Sequence, residues 1–228
     1  MNFLIGFICR DKYIIKIKLA NTFIRTVSFM QRISKLENIL IWLQDELTKN
    51  YQSPKFKEQL KKGIDILENK PLCVCANTSF INYIDTIELS KCSLKSLMTK
   101  ELKQLLISRI IYSKKYNCYT YEPLIEQFGK FYEDPVANEW SNNRVYFSQK
   151  ESNHLNTVAA LAFAIGLIEP LYDKSRKSFT ILFYYAIDEY NSPNVTFYCN
   201  RKGIEDVIDK NNLESYQDPL LYITIRKP

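Results

Sequence analysis

Residues 153–184 constrain the fold of this chain more than any other stretch. They begin with NHLNTVAALAFAIG, an apolar segment of helical length that closes on Gly166, and continue as LIEPLY, DKSRKS and FTILFYY. Glycine is the residue at which helices most often stop. Two apolar runs around a charged hexapeptide have the length and composition of strands joined by a turn. The expected order is a helix over 153–165, a strand over 167–172, a polar turn, and a strand over 178–184. The turn carries Lys174, Arg176 and Lys177, whose charges must be solvated or bound to anions.

Elsewhere the pattern is mixed. Tyr13, Ile15, Ile17 and Leu19 alternate with Lys16 and Lys18, and Phe23, Arg25, Val27 and Phe29 continue the alternation. This favours a β-hairpin over 12–29, with one continuous helix into the next segment as the other reading. Ile33, Leu36, Ile39, Leu40, Leu43 and Leu47 are spaced as the apolar side of a helix. Ser53-Pro54 sets an N-cap before a proline at the first helical position. The helix that follows has Phe56, Leu60, Ile64 and Leu67 as its stripe and Lys55, Lys57, Lys61 and Lys62 opposite. Pro71 ends this pair, and LCVCANTSFINYI reads as short strands or a buried irregular segment. The remaining expectations are a helix over 97–113, a short strand near Cys118 to Tyr121, and a helix over 123–132 opened by Pro123. A polar break over 133–143, a helix near 201–210 and a strand over 220–225 complete the chain.

At 46% hydrophobic and 14% aromatic, the composition belongs to a folded chain. The length of 228 residues accommodates one large domain or two small ones. Net charge is +6 but unevenly placed. Residues 1–100 hold 16 basic and 9 acidic side chains, residues 101–184 hold 10 and 9, and residues 185–228 hold 5 and 7. The basic excess therefore lies ahead of the 153–184 segment. The bias towards Lys, Ile, Asn and Tyr is that of AT-rich coding DNA and points to an AT-rich bacterium, a virus or a mobile element. Six cysteines, at 9, 73, 75, 92, 118 and 199, follow no signal-type segment, because residues 3–9 lack a basic start and a cleavage site. No apolar run approaches the ~18 residues a membrane span requires. The expectation is a cytoplasmic protein with reduced thiols and no membrane partner.

Taken together, residues 97–184 resemble the winged helix-turn-helix superfamily. TYEPLIEQFG matches its second helix, ALAFAIGLIEPLYDKSRKSFTI its third helix and wing, and Gly166-Leu167-Ile168-Glu169 the turn between them. The resemblance implies a mixed α/β, helix-dominated fold. A winged-helix-like unit at 96–185 would be flanked by an N-terminal α/β region at 1–95 and a C-terminal α/β extension at 186–228. It further implies a non-enzymatic, cofactor-free DNA-binding protein, such as a regulator or an accessory factor of a mobile-element or phage-related system. Lys174, Arg176 and Lys177 of the wing would hold phosphates of double-stranded DNA. Asn153, Asn156 and Thr157 would approach bases, with Arg144 and Lys150 just upstream. Ala159, Ala160, Ala162 and Ala164 on the same helix favour close packing, so a buried helix is the other reading of 153–165.

Catalytic readings have less to stand on. His154 is the sole histidine, and no nucleophile motif stands near it. Asp85, Glu88 and Lys91 superficially match the carboxylates and lysine of a Mg²⁺-dependent nuclease, but with Glu-x-x-Lys spacing in place of Glu-x-Lys. Cys73 and Cys75 alternate and so share one strand face. Zinc would have to add Cys92 and Cys118 without paired Cys-x-x-Cys knuckles, and buried, inert thiols are expected instead. No catalytic or metal-binding residue is assigned. The competing class is a protein-interaction module, such as an immunity, anti-defence or complex-subunit protein. Its mark would be an exposed Tyr and Phe patch in place of a basic stripe.

Overall fold

The computed structural model describes residues 23–49, 53–70, 72–93, 98–148, 152–174, 177–186 and 191–225. Along these the chain forms α1 (Phe23–Thr48), α2 (Pro54–Asn69), β1 (Cys73–Ala76), α3 (Thr78–Asp85) and α4 (Lys100–Leu106). It continues as β2 (Ile110–Ser113), β3 (Cys118–Tyr121), α5 (Pro135–Asn142), β4 (Val145–Tyr146), α6 (Asn153–Gly166) and α7 (Ile168–Tyr172). The last strands are β5 (Ser178–Ala186), β6 (Ser192–Asn200) and β7 (Leu220–Ile225). The fold is mixed α/β, with two antiparallel sheets among the described residues.

The larger sheet has the order β1-β7-β5-β6-β4. It joins strands from all three of the sequence segments 1–95, 96–185 and 186–228. Its strands alternate strictly, and both faces are apolar. Phe179, Ile181, Phe183, Val195, Phe197, Leu221, Ile223 and Ile225 face the main core with α2, α3, α6 and α7. Leu182, Tyr198, Leu220 and Tyr222 face a second cluster closed by Val136 and Trp140 of α5 and by Ile204, Val207, Ile208 and Leu213. Because the sheet is covered on both sides, β6 and β7 are buried almost without interruption, polar Asn194, Thr196 and Thr224 included.

Helix α2 forms as its sequence directs. Ser53 accepts a hydrogen bond from the Phe56 backbone N–H, Pro54 occupies the first turn, and Phe56, Leu60, Ile64 and Leu67 are buried. Each such side chain contributes about 1.5–3 kcal/mol when taken from water. Cys73 and Cys75 share a face of β1 with their sulfurs 3.6 Å apart. None of the five described cysteines is in a disulfide.

Several expected elements take another form. Of the hairpin read over 12–29, residues 12–22 lie outside the described residues, and Phe23 to Phe29 belong to α1. The helix read over 97–113 stops at Leu106, after a Thr99 cap, and Ile110 to Ser113 become β2, paired with β3. The β-branched and aromatic run Ile110-Ile111-Tyr112 suits a pleated surface better than a helix. The helix read over 123–132 is a single 3₁₀ stretch, Glu122–Gln127. The polar break contains α5, started by Asp134, whose side chain accepts from the Val136 N–H, and by Pro135.

Residues 167–172, read as a wing strand, are helical, and β5 pairs with β6 and β7 instead. Leu167 keeps a right-handed helical conformation, so Gly166 does not stop the chain. Its role is close approach, since a Cβ there would lie 2.7 Å from Cδ2 of Leu106. The helix read near 201–210 is a series of turns that includes Gly203 at φ +82°, a conformation other residues rarely adopt.

Tyr121 is fully buried against Phe163 and Phe197. Its hydroxyl has no hydrogen-bond partner among the described residues. Burial also pushes its pKa well above the ordinary tyrosine value. Removing a buried, unsatisfied hydroxyl removes a desolvation cost, so Tyr121→Phe is expected to stabilise the protein by about 1 kcal/mol in denaturant unfolding. A loss of stability would show that the hydroxyl is bonded.

Candidate nucleic-acid interface

Hairpin β2–β3 stands beside the end of the large sheet. In its register Tyr112 lies opposite Tyr119, with ring centroids 5.1 Å apart. Tyr119 in turn sets its ring edge-on to the buried Phe179 of β5 at 5.0 Å. The Tyr112 hydroxyl donates to Oδ1 of Asn117 at 2.6 Å. Asn117 closes the turn at φ 54°, a left-handed conformation that asparagine tolerates. Lys114 and Lys115 are exposed at the hairpin tip, the Lys115 ammonium lying 4.7 Å from the Tyr116 ring centroid.

A buried ion pair fastens the hairpin to β6. Glu139 of α5 is fully buried and accepts from the backbone N–H groups of Tyr119 and Cys199, each at 2.6 Å. Arg201 donates Nη2 to Glu139 Oε1 at 2.7 Å and Nη1 to Oε2 at 2.9 Å. The same two nitrogens reach the carbonyls of Asn117 and Cys199, both at 2.9 Å. Burial raises the Glu139 carboxyl above the ordinary carboxylate value, while Arg201 and the two N–H groups act against that rise. The four-point geometry is that of a charge-assisted fork.

Between the hairpin and the sheet lies a cleft of about 420 Å³ lined by Tyr112, Asn117, Tyr119, Lys177, Cys199, Asn200, Arg201 and Lys202. The chain matches no family model, no curated protein and no solved structure. The site is therefore defined by its own chemistry: three cations and two tyrosine rings, without a carboxylate among the lining residues. Arg201 is committed to Glu139. Lys177 and Lys202 are exposed, and among the described residues neither lies in an ion pair. Cys199 is held protonated at neutral pH, because burial first and Glu139 second push its thiol up to about 11.

Of the residues singled out from sequence, Lys177 alone lines this cleft. Lys174 is exposed in the turn after α7, and Arg176 and Lys150 lie outside the described residues. Asn153 is half-buried at the start of α6. Asn156 and Thr157, expected to approach bases, are 2% and 0% exposed, and the Thr157 hydroxyl is bonded to Tyr83 at 3.0 Å. They face protein because α6 runs between α2 and the sheet, which is what its alanines permit. Arg144 stacks its guanidinium 3.8 Å from the Trp140 ring centroid and donates to the Tyr146 hydroxyl.

Glu88 and Lys91 form a surface ion pair of 2.6 Å, and no cluster of metal-ligating side chains occurs among the described residues. Tyr112, Asn117, Glu139, Arg201 and Lys202 were missed. The signal for the hairpin was present, since two four-residue β-type runs flank the turn Lys114-Lys115-Tyr116-Asn117.

Proposed function

We propose that this protein is a non-enzymatic DNA-binding protein that holds phosphates in the cleft between hairpin β2–β3 and the β5–β6 sheet. The observation that carries the reading is the pair of ammonium groups, Lys177 and Lys202, exposed at one cleft with no carboxylate to neutralise them. Ser178 pairs with Asn200, so the strand register sets the lysine before β5 beside the residues after β6. The tip of the β2–β3 hairpin carries two more exposed lysines, Lys114 and Lys115, which lie outside the lining of the cleft. The basic hairpin inferred over 167–184 is thus replaced by a cleft that uses one of the same lysines. Base reading by α6 forms no part of the mechanism, because Asn156 and Thr157 are buried.

Phosphate contacts make affinity fall with salt, with a slope near 0.9 per contact on duplex DNA. The double variant Lys177→Glu, Lys202→Glu is expected to bind DNA at least about tenfold more weakly at low salt and to lose about two units of that slope. Fluorescence anisotropy across a salt series measures both. Binding identical to wild type would remove the cleft from the function.

A second reading, a protein-interaction module, is favoured by the loop at 129–132. Phe131 is 67% and Tyr132 45% exposed, yet their backbone is held firmly. Asn138 accepts from both N–H groups, and Asn142 both donates to and accepts from Gly129. A rigid loop presenting two aromatic rings has the form of an interface anchor.

A further inference from the structure

We infer that the cleft takes an unpaired nucleotide of a single strand, with its base stacked on Tyr112 and its phosphates on Lys177 and Lys202. This rests on the phosphate-binding reading above and names the form of nucleic acid that fits it. Tyr112 is 46% exposed in a wall that is otherwise fixed. Its hydroxyl is tied to Asn117, its ring meets Tyr119, and Tyr119 is backed by the buried Phe179. A ring already held in place loses little freedom when a base stacks on it. Its π-face is of use only to a base that has left the helical stack, because a duplex keeps its base faces covered.

Space points the same way. A cleft of about 420 Å³ is of the size that encloses a small ligand, whereas a duplex is recognised by elements that enter its grooves. The apolar helix α6, read from sequence as the groove-entering element, is enclosed by protein.

The hydrogen-bonding groups suit a flexible, sequence-tolerant contact. Asn117 uses Oδ1 for the Tyr112 hydroxyl, which leaves its amide N–H groups as the donors of the wall. Asn200 is already bonded to Thr180 and Ser178. With one free amide and an aromatic face, the cleft grips the backbone and stacks a base while reading little of its edge. Weak base preference and strong salt dependence are the consequences.

The test compares binding of the full chain to a labelled oligothymidine and to a duplex of the same length, at low salt, for wild type, Tyr112→Ala and Tyr112→Phe. The expected result is single-strand binding at least about tenfold tighter than duplex binding. Tyr112→Ala is expected to lower single-strand affinity about tenfold or more, the size of one lost stacking contact. Tyr112→Phe keeps the ring and is expected to stay within about threefold of wild type, which separates stacking from the hydroxyl bond to Asn117. Duplex binding equal to or tighter than single-strand binding would overturn the inference and leave the phosphate reading standing. So would Tyr112→Ala binding like wild type while the Lys177 and Lys202 double variant fails. Absence of binding to either form at low salt would overturn both.

Discussion

Gly63→Ala is expected to destabilise the protein by about 3 kcal/mol, the upper part of the range for forcing an extra methyl into a packed core. Gly63 lies on the buried side of α2 where it crosses α6. A Cβ at this position would sit 2.1 Å from the carbonyl oxygen of Ile165 and 3.0 Å from its carbonyl carbon. Both are backbone atoms in the last turn of α6, so relief requires the two helices to separate and loosen Phe56, Leu60 and Ile64 from the core. The gain in helix propensity from glycine to alanine, about 1 kcal/mol, is too small to offset this. Gly166→Ala provides the contrast. Its Cβ would meet only the end of the Leu106 side chain, which has other rotamers, so a cost nearer 1 kcal/mol is expected. Denaturant unfolding of both variants decides the matter. Equal costs, or a stabilised Gly63→Ala, would mean that α2 and α6 do not approach so closely.

Glu139→Ala is expected to cost about 3–5 kcal/mol, as removal of one partner of a buried ion pair does. The loss has two sources. Arg201, with 17% of its side chain exposed, would keep its charge without its carboxylate. The backbone N–H groups of Tyr119 and Cys199 would lose their acceptor inside the protein. Arg201→Ala should cost a similar amount by leaving Glu139 fully buried without its counter-charge. The double variant should then be much less destabilised than the sum of the two, because each single change already abolishes the shared interaction. Strict additivity in this cycle would show that the pair does not hold hairpin β2–β3 to β6. Because Arg201 lines the cleft and Glu139 holds it from behind, loss of the pair should also weaken oligonucleotide binding without any change in the exposed lysines.

Where a signal was local, it was legible in the sequence. The Ser53-Pro54 start and the four-residue stripe of α2 are satisfied within a few turns of chain. The alternation of Cys73 and Cys75, the apolar length of α6 and the strand at β7 are local in the same sense. The misreadings came from runs whose apolar content suits either period. Residues 110–113 continue the pattern of α4 but pair with β3, and residues 167–172 have strand composition but extend the helical path of α6. In the first place the partner strand lies just across a short turn, with Tyr119 and Tyr121 opposite Tyr112 and Ile110. In the second, Ile168 and Leu171 are buried in the main core and Glu169 meets Lys62 of α2, far away in sequence. The polar stretch over 133–143 conceals a helix because its Asp134-Pro135 start was outweighed by composition.

The candidate site divides along the same line. Lys177 stands out in sequence because charge in a polar turn must be solvated or bound, and the chain around it specifies that much unaided. What that lysine faces is a matter of register. Nine paired residues of β5 and β6 carry Asn200 to Ser178, and with it Arg201 and Lys202 to the same end of the sheet. The Glu139–Arg201 fork then draws Tyr112 and Asn117 to the opposite wall. Side-chain type and local periodicity are properties of a few neighbouring residues. The cleft also needs hydrogen bonds between residues 60 or more positions apart, those of Glu139 with Cys199 and Arg201. No local pattern encodes those pairings, because their free energy appears only when the separate elements pack together.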